Sequence, residues 1–291
     1  MALRLGAHVS IAGSLDLSVD RAVAKGCNTF QIFTRNPRGW SSKPLLKRVA
    51  KSFIDKVEQA DIHPVFAHMP YLPNLASARE NVYRKSVATL ERELSRCSRL
   101  RIGYLVAHLG SHLGAGKEAG LGRVTEAVEK ALRLSPGDVV LLLENSAGSE
   151  RAVGAAFEEL KHIIDNVERS QRLGLCFDTC HAFASGYDLR SDASVNAIVK
   201  KLDSLVGFER VKLVHANDSK GGLASRIDRH EHIGVGRIGI SGFRSLLRNT
   251  EFRNLPFIIE TPVDDRRSDV ENLELLRRVW GEAREEGSLS R

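Results

Sequence analysis

Seven short apolar runs in this chain close on a side chain that can bind a cation. They are Leu5-Gly6-Ala7-His8, Phe66-Ala67-His68, Val106-Ala107-His108, Leu142-Leu143-Glu144, Cys176-Phe177-Asp178, Leu213-Val214-His215 and Ile258-Ile259-Glu260. Imidazole and carboxylate are donors that zinc, manganese or iron accept. A single such ending is more simply a hydrogen-bonded histidine or acid. Six or seven together, around one rim, would be costly to desolvate without a cation. A carboxylate at the middle of the series, Glu144, can bridge two cations, since each oxygen can bind one. Two further groups extend the set: His181 follows Asp178 after two residues, and Asp228-Arg229-His230 places Asp and His two apart. On an extended segment that spacing puts both on one side. With His181 they make a third cluster of two histidines and one carboxylate, leaving a position open for water or substrate.

Such side chains need elements that bring them to one place. The runs at 3–9, 29–34, 63–68, 104–109, 139–145, 173–178, 211–216 and 256–261 are rich in Val, Ile, Leu and Phe. They lack clean polar alternation, as strands buried on both faces do. Between them lie segments of helical period. In 77–101, Val82, Val87, Leu90, Leu94 and Cys97 recur among charges, and Ser77 with Glu80 predicts a capping box at the helix start. Strand–helix alternation repeated eight times predicts a (β/α)8 barrel spanning 1–291 as one domain, with its site at the carboxyl ends of the strands. The loops after strands 2, 3 and 7 (34–40, 69–74 and 217–239) would then lie on that face, and the final residues 287–291 are expected to fray.

Composition narrows the partner. The 291 residues carry a formal charge of +7, with 42% hydrophobic and 6% aromatic content. That excess favours a polyanion such as nucleic acid, although the clusters at Arg35–Lys51 and Arg92–Arg101 also suit solvated helix faces. The opening MALRLGAHVS lacks a signal-peptide apolar region, and no apolar stretch approaches the length of a membrane span. A cytoplasmic protein without membrane contact is expected. Four scattered cysteines suit reduced thiols, and Cys176, inside a strand pattern, suits packing.

The stretch Phe177-Asp178-Thr179-Cys180-His181-Ala182-Phe183-Ala184-Ser185-Gly186-Tyr187-Asp188 resembles the signature of the endonuclease IV family of apurinic/apyrimidinic endonucleases. So do Gly6-Ala7-His8-Val9-Ser10-Ile11-Ala12-Gly13, His215-Ala216-Asn217-Asp218-Ser219-Lys220, Asp228-Arg229-His230 and Glu260-Thr261-Pro262, in order over nearly the whole chain. The resemblance implies a TIM barrel with three Zn2+ ions. His68 and His108 would hold the first, Glu144 would bridge to the second, and Asp178, His215 and Glu260 would complete it. His181, Asp228 and His230 would hold the third. Ser14 and Leu109 depart from the usual pattern without touching a ligand position.

The activity implied is zinc-dependent hydrolysis of the phosphodiester 5′ to an abasic site in duplex DNA, leaving a 3′-hydroxyl and a 5′-deoxyribose phosphate, with repair of 3′ blocks. Glu144 and Glu260 would be the catalytic carboxylates. Zinc suits the task because it lowers the pKa of bound water and neutralises phosphate charge. An abasic nucleotide leaves the helix at low cost. Arg38 and Tyr71 match positions that enter the minor groove in this family, and Lys220, Arg226, Arg229 and Arg237 are candidate phosphate contacts. His8, His112 and His232 could support the site or bind phosphate, whereas His63 and His162 suit structural or surface roles. Nothing resembles a dimer seam, so a monomer is expected. A sugar isomerase or epimerase on the same barrel, or a non-catalytic damage binder, are the alternatives; neither needs the third cluster.

Overall fold

A computed structural model describes residues 3–135 and 137–289, with side chains to 286. Eight strands form one parallel sheet: β1 (Leu5–Ala7), β2 (Phe30–Phe33), β3 (Val65–His68), β4 (Tyr104–Ala107), β5 (Val140–Glu144), β6 (Leu173–Asp178), β7 (Val211–His215) and, after a small hairpin, β10 (Phe257–Ile259). The hairpin is β8 (Asp218–Ser219) with β9 (His230–Glu231), paired antiparallel. Consecutive barrel strands are neighbours from β2 to β7, followed by β10 and β1. The ends of the sheet meet where His8 bridges Gln31, with Val9 N–H donating to the Gln31 carbonyl at 2.8 Å. Gly6 permits this closure, because a Cβ there would lie 1.7 Å from the Thr29 carbonyl oxygen. The architecture is a TIM barrel.

Helices α1 (Leu17–Ala24), α2 (Lys47–Ala60), α3 (Glu80–Arg99), α4 (Lys117–Leu134), α5 (Phe157–Asp165), α6 (Thr179–Ser185), α7 (Asp192–Val206), α8 (Gly239–Arg248) and α9 (Asp269–Leu289) fill the crossovers and the C-terminal end. On α3 the buried residues Tyr83, Val87, Leu90, Leu94 and Cys97 recur at intervals of four and three, one apolar stripe facing the sheet. Tyr83, and not the half-buried Val82, begins that stripe. The expected capping box is absent: Arg79 precedes the helix without a side-chain cap, and the Ser77 hydroxyl instead accepts from Arg79 N–H at 3.1 Å. At the C-terminus α9 continues to Leu289, so the fraying expected at 287–289 is not seen, while residues 290–291 lie outside the described residues.

Phe66, Val106, Leu142, Cys176, Leu213 and Ile258 form an enclosed apolar layer inside the barrel. Strand side chains alternate with period two, so the residue two beyond each also points inward, one layer nearer the carboxyl rim. Those residues are His68, His108, Glu144, Asp178, His215 and Glu260. The apolar layer thus seals the floor beneath the polar ring. Each fully buried side chain of that layer is worth roughly 1.5–3 kcal/mol against exposure. Cys176 belongs to this floor, where burial pushes its thiol up to about 12, and its Sγ lies within 4.8 Å of donor atoms of Glu144 and His215.

Candidate metal centre

Glu144 sits at the centre of the ring, almost wholly buried, with each carboxylate oxygen facing a different set of imidazoles. Its Oε2 lies 3.1 Å from His68 Nε2 and 3.5 Å from His108 Nε2. Its Oε1 lies 3.1 Å from His215 Nδ1. That same nitrogen is 3.4 Å from Glu260 Oε2 and 3.8 Å from Asp178 Oδ2. A second cluster adjoins Asp178. His181 Nε2 is 3.1 Å from Asp228 Oδ1, and His230 Nε2 lies 3.5 Å from that oxygen and 3.8 Å from Asp178 Oδ2. Within each of the groups His68/His108/Glu144, Glu144/Asp178/His215/Glu260 and Asp178/His181/His230, donor atoms lie within 4.8 Å of one another.

The outer nitrogens of the histidines decide what the inner ones can do. His68 Nδ1 lies 2.7 Å from the Met69 carbonyl, His181 Nδ1 2.9 Å from the Asn145 carbonyl and His230 Nδ1 3.1 Å from the Glu260 carbonyl. His215 Nε2 lies 2.9 Å from Gln31 Oε1. Each of these oxygens only accepts, so each outer nitrogen must carry the proton. In the neutral ring the inner nitrogen then presents a lone pair to carboxylate oxygens, an arrangement that needs a proton or a cation between them. His230 Nε2 is buried without any hydrogen-bond partner. The donor set of imidazoles and carboxylates, with outer nitrogens anchored to carbonyls, fits divalent cations.

The electrostatics agree. Burial opposes charge on His181, but Asp178, Asp228 and Glu144 outweigh it and lift its pKa to about 10. His215 is likewise pushed well up against burial, by Cys176, Glu260 and Glu144 among others. Burial works to neutralise Glu144 and Glu260, yet the neighbouring imidazoles hold both well below the usual carboxylate range. Positive charge is therefore favoured at His68, His181 and His215, whereas burial lowers the pKa of His108.

Several residues that hold this ring were not found from the sequence. Asn145 accepts from Asp178 N–H at 2.8 Å and donates back to its carbonyl at 3.0 Å. Asn217 donates to Asp178 Oδ2 at 2.7 Å and accepts from Glu260 N–H at 2.8 Å. Gln31, the one polar residue in Phe30–Phe33, touches two ring members, Glu260 and His215, and also His8. A polar side chain inside an apolar strand was the available signal for Gln31, as adjacency to Glu144 was for Asn145.

The loops gather as well. Tyr71 N–H donates to the Pro37 carbonyl at 3.3 Å, which joins the loops after β2 and β3. Tyr71 is 63% exposed, its ring centroid 5.1 Å from that of Phe33, and Arg38 is exposed beside it. The segment after β7 is held by Asp218, whose carboxylate accepts backbone N–H bonds from Gly234, Gly236, Ile238 and Gly239 at 2.9–3.3 Å. Gly236 is required there, since a Cβ would lie 2.4 Å from Asp218 Oδ1. Arg226, Arg229 and Arg237 are exposed along this segment, and the Lys220 amine stands 4.0 Å from Glu231.

Residues 19–279 match the family described as xylose isomerase-like TIM barrel. A protein of Methanoculleus marisnigri named probable endonuclease 4 is 52% identical over 278 residues, covering 95% of this chain and 99% of its own length. The chain belongs to the endonuclease IV family. A further relative of the same name from Nitrosopumilus maritimus is 46% identical, covering 93% of this chain and 98% of its own. The crystal structure of endonuclease IV from Thermus thermophilus superposes with a TM-score of 0.84 at 39% identity, covering 97% and 99% of the two chains.

Three histidines left open by the sequence are now placed. His8 Nδ1 lies 3.0 Å from Glu260 Oε1, at the edge of the endonuclease IV ring. His112 does not join it: its buried Nδ1 accepts N–H bonds from Gly114 and Gly116 at 3.2 Å, closing its own loop. His232 is fully buried, its ring bound between Asp264 Oδ1 and Asn272 Nδ2 at 3.0 Å each, and so fastens two loops rather than meeting phosphate. His63 precedes β3 at the opposite rim and His162 lies exposed on α5, as expected. Among the described residues no helix is long and apolar enough to cross a membrane.

Proposed function

We propose that this chain is a zinc-dependent apurinic/apyrimidinic endonuclease of base excision repair, cutting duplex DNA 5′ to an abasic site and clearing 3′ blocks. The observation that carries it is the set of inward nitrogens aimed at carboxylates in the barrel mouth, Glu144 buried and Asp228 at the rim, within a family whose members are named endonuclease 4. His68, His108 and Glu144 would hold one zinc, Glu144, Asp178, His215 and Glu260 a second, and His181, Asp228 and His230 a third. Zinc, when bound, would lower the pKa of water and neutralise charge gathering on the phosphate.

The chain's own residues set the geometry. Glu144 offers one oxygen to each half of the ring and so fixes their separation. Among the strand-end carboxylates Glu260 is the one solvent reaches, at 20% side-chain exposure against 1% for Glu144 and 0% for Asp178. Its Oε1 accepts from Gln31, which leaves Oε2, 3.4 Å from His215 Nδ1, to orient a water at the ring and take its proton. Arg38 and Tyr71, linked through the Pro37 carbonyl, would fill the gap left by the extruded nucleotide. Lys220, Arg226, Arg229 and Arg237 would meet backbone phosphates. The whole barrel would act as a single cytoplasmic domain and a monomer. A duplex carrying one tetrahydrofuran abasic analogue tests this: a cut 5′ to the analogue, lost on chelation and regained with zinc, is expected. Cutting at undamaged sites alone, or ketose–aldose conversion without any cut, would contradict it.

A further inference from the structure

We infer that Gln31 is the positioning residue of the cation ring, its single amide fixing the tautomer of His215 and the rotamer of Glu260. The inference rests on the reading of that ring as a zinc site. Gln31 is fully buried on β2, at the seam where the barrel closes, among Phe30, Ile32 and Phe33. Its Nε2 lies 2.7 Å from Glu260 Oε1 and its Oε1 lies 2.9 Å from His215 Nε2. The amide can be placed in one sense only. Reversed, its carbonyl would face a carboxylate oxygen across 2.7 Å, two acceptors with no proton between them.

The consequences run in sequence. Because Nε2 must donate to Glu260, Oε1 is left to accept, and His215 Nε2 must supply the proton. The lone pair of His215 is thereby placed on Nδ1, the nitrogen 3.1 Å from Glu144 and 3.4 Å from Glu260. In the same act Glu260 Oε1 is tied back, with His8 Nδ1 also 3.0 Å from it, and Oε2 is turned toward the ring. The backbone holds Gln31 in place from both sides: His8 bridges it, Val9 donates to its carbonyl and Phe66 pairs with it in register. The other three anchored histidines use main-chain carbonyls, so of these four only His215 depends on a replaceable side chain for its tautomer. Outer hydrogen-bond partners of this kind typically change metal affinity or activity 10- to 100-fold when removed.

The test compares the native chain with Gln31→Met, which keeps the volume and removes both hydrogen bonds, in zinc titrations against a chelating dye. One class of site should weaken by about 10- to 100-fold while the remaining sites keep their affinity. On an abasic duplex kcat should fall, KM should stay, and excess zinc should restore part of the rate. A Gln31→Met protein that melts like the native chain without zinc yet binds zinc unchanged overturns the inference. Should that variant not fold, NMR of the imidazole nitrogens in the zinc-loaded native chain decides, with His215 assigned by comparison with His215→Asn. A proton on Nε2 is expected, and a proton on Nδ1 overturns it. A native chain that takes up no zinc refutes the proposed function instead, which keeps the two failures distinct.

Discussion

His181 shows how far a single residue depends on its surroundings. Its outer nitrogen is committed to the Asn145 carbonyl, and its inner one faces Asp228. Without metal a proton must fill that place, and the carboxylates around it raise its pKa from 6.5 to about 10 against burial. A folded-state pKa raised above the unfolded one gives stability present in full below pH 6.5 and lost as pH rises toward about 10. The melting temperature of the chelated protein should therefore fall across that window, and saturating zinc should flatten the dependence, as read by thermal melts with and without metal. Glu144→Gln removes the one anion shared by both halves of the ring. It should lower zinc content and cut turnover by at least about 100-fold, measured by metal analysis and incision rate on the same sample. Residues such as His68 and Glu144 were legible in the sequence because each stands two places beyond an apolar floor residue on its own strand. Gln31 and Asn217 were not, since their partners lie 229 and 43 residues away and only the closed barrel brings them together.

At the level of elements, the loop after β2 is anchored by helix α3. Glu93, fully buried, accepts from Arg35 Nε at 2.7 Å and from the Thr34 hydroxyl at 2.6 Å. Arg35 then donates to the Gly39 carbonyl at 2.6 Å, and Arg96 to the Thr34 hydroxyl at 2.8 Å and the Lys43 carbonyl at 3.2 Å. Two basic clusters that looked like solvated faces or a nucleic-acid surface thus contribute Arg35 and Arg96 to an internal clamp on the loop that presents Arg38. Charge counting could not separate these roles, because a buried arginine and an exposed one read alike in sequence. Breaking the buried pair with Glu93→Gln should cost about 3–5 kcal/mol of stability. It should also weaken abasic-duplex binding at unchanged zinc content, as chemical unfolding, a binding titration and metal analysis would show. Arg38→Ala or Tyr71→Ala should weaken binding without the stability cost. The hairpin β8–β9 was likewise not foreseen: the long segment after β7 reads as loop, and its order comes from Asp218 accepting N–H bonds far along the chain.

For the molecule as a whole, a formal charge of +7 coexists with the carboxylates of Glu144, Asp178, Asp228 and Glu260 gathered inside the barrel mouth, and exposed cations lie on the segments around it. Lys220, Arg226, Arg229 and Arg237 are placed on the segment that borders the mouth. If these four meet phosphates, log Kd for duplex DNA should change with log salt by a slope of about 4, and Arg229→Ala should reduce that slope by about 1. A slope near zero in binding titrations would remove the segment from the interface. The barrel and its polarity were legible from eight repeated strand–helix units, since buried parallel strands leave an apolar run that ends sharply at the rim. The loop tethers that hold Arg38 and Tyr71 in place were not, because they are made across the sequence.

The most direct measurement is incision of a single-abasic duplex by protein whose zinc is counted in the same sample, before and after chelation. Cleavage 5′ to the lesion leaving a 3′-hydroxyl, proportional to bound zinc and abolished in Glu144→Gln, is the expected result. Full incision by chelated protein, or none by zinc-saturated protein, would contradict the assignment.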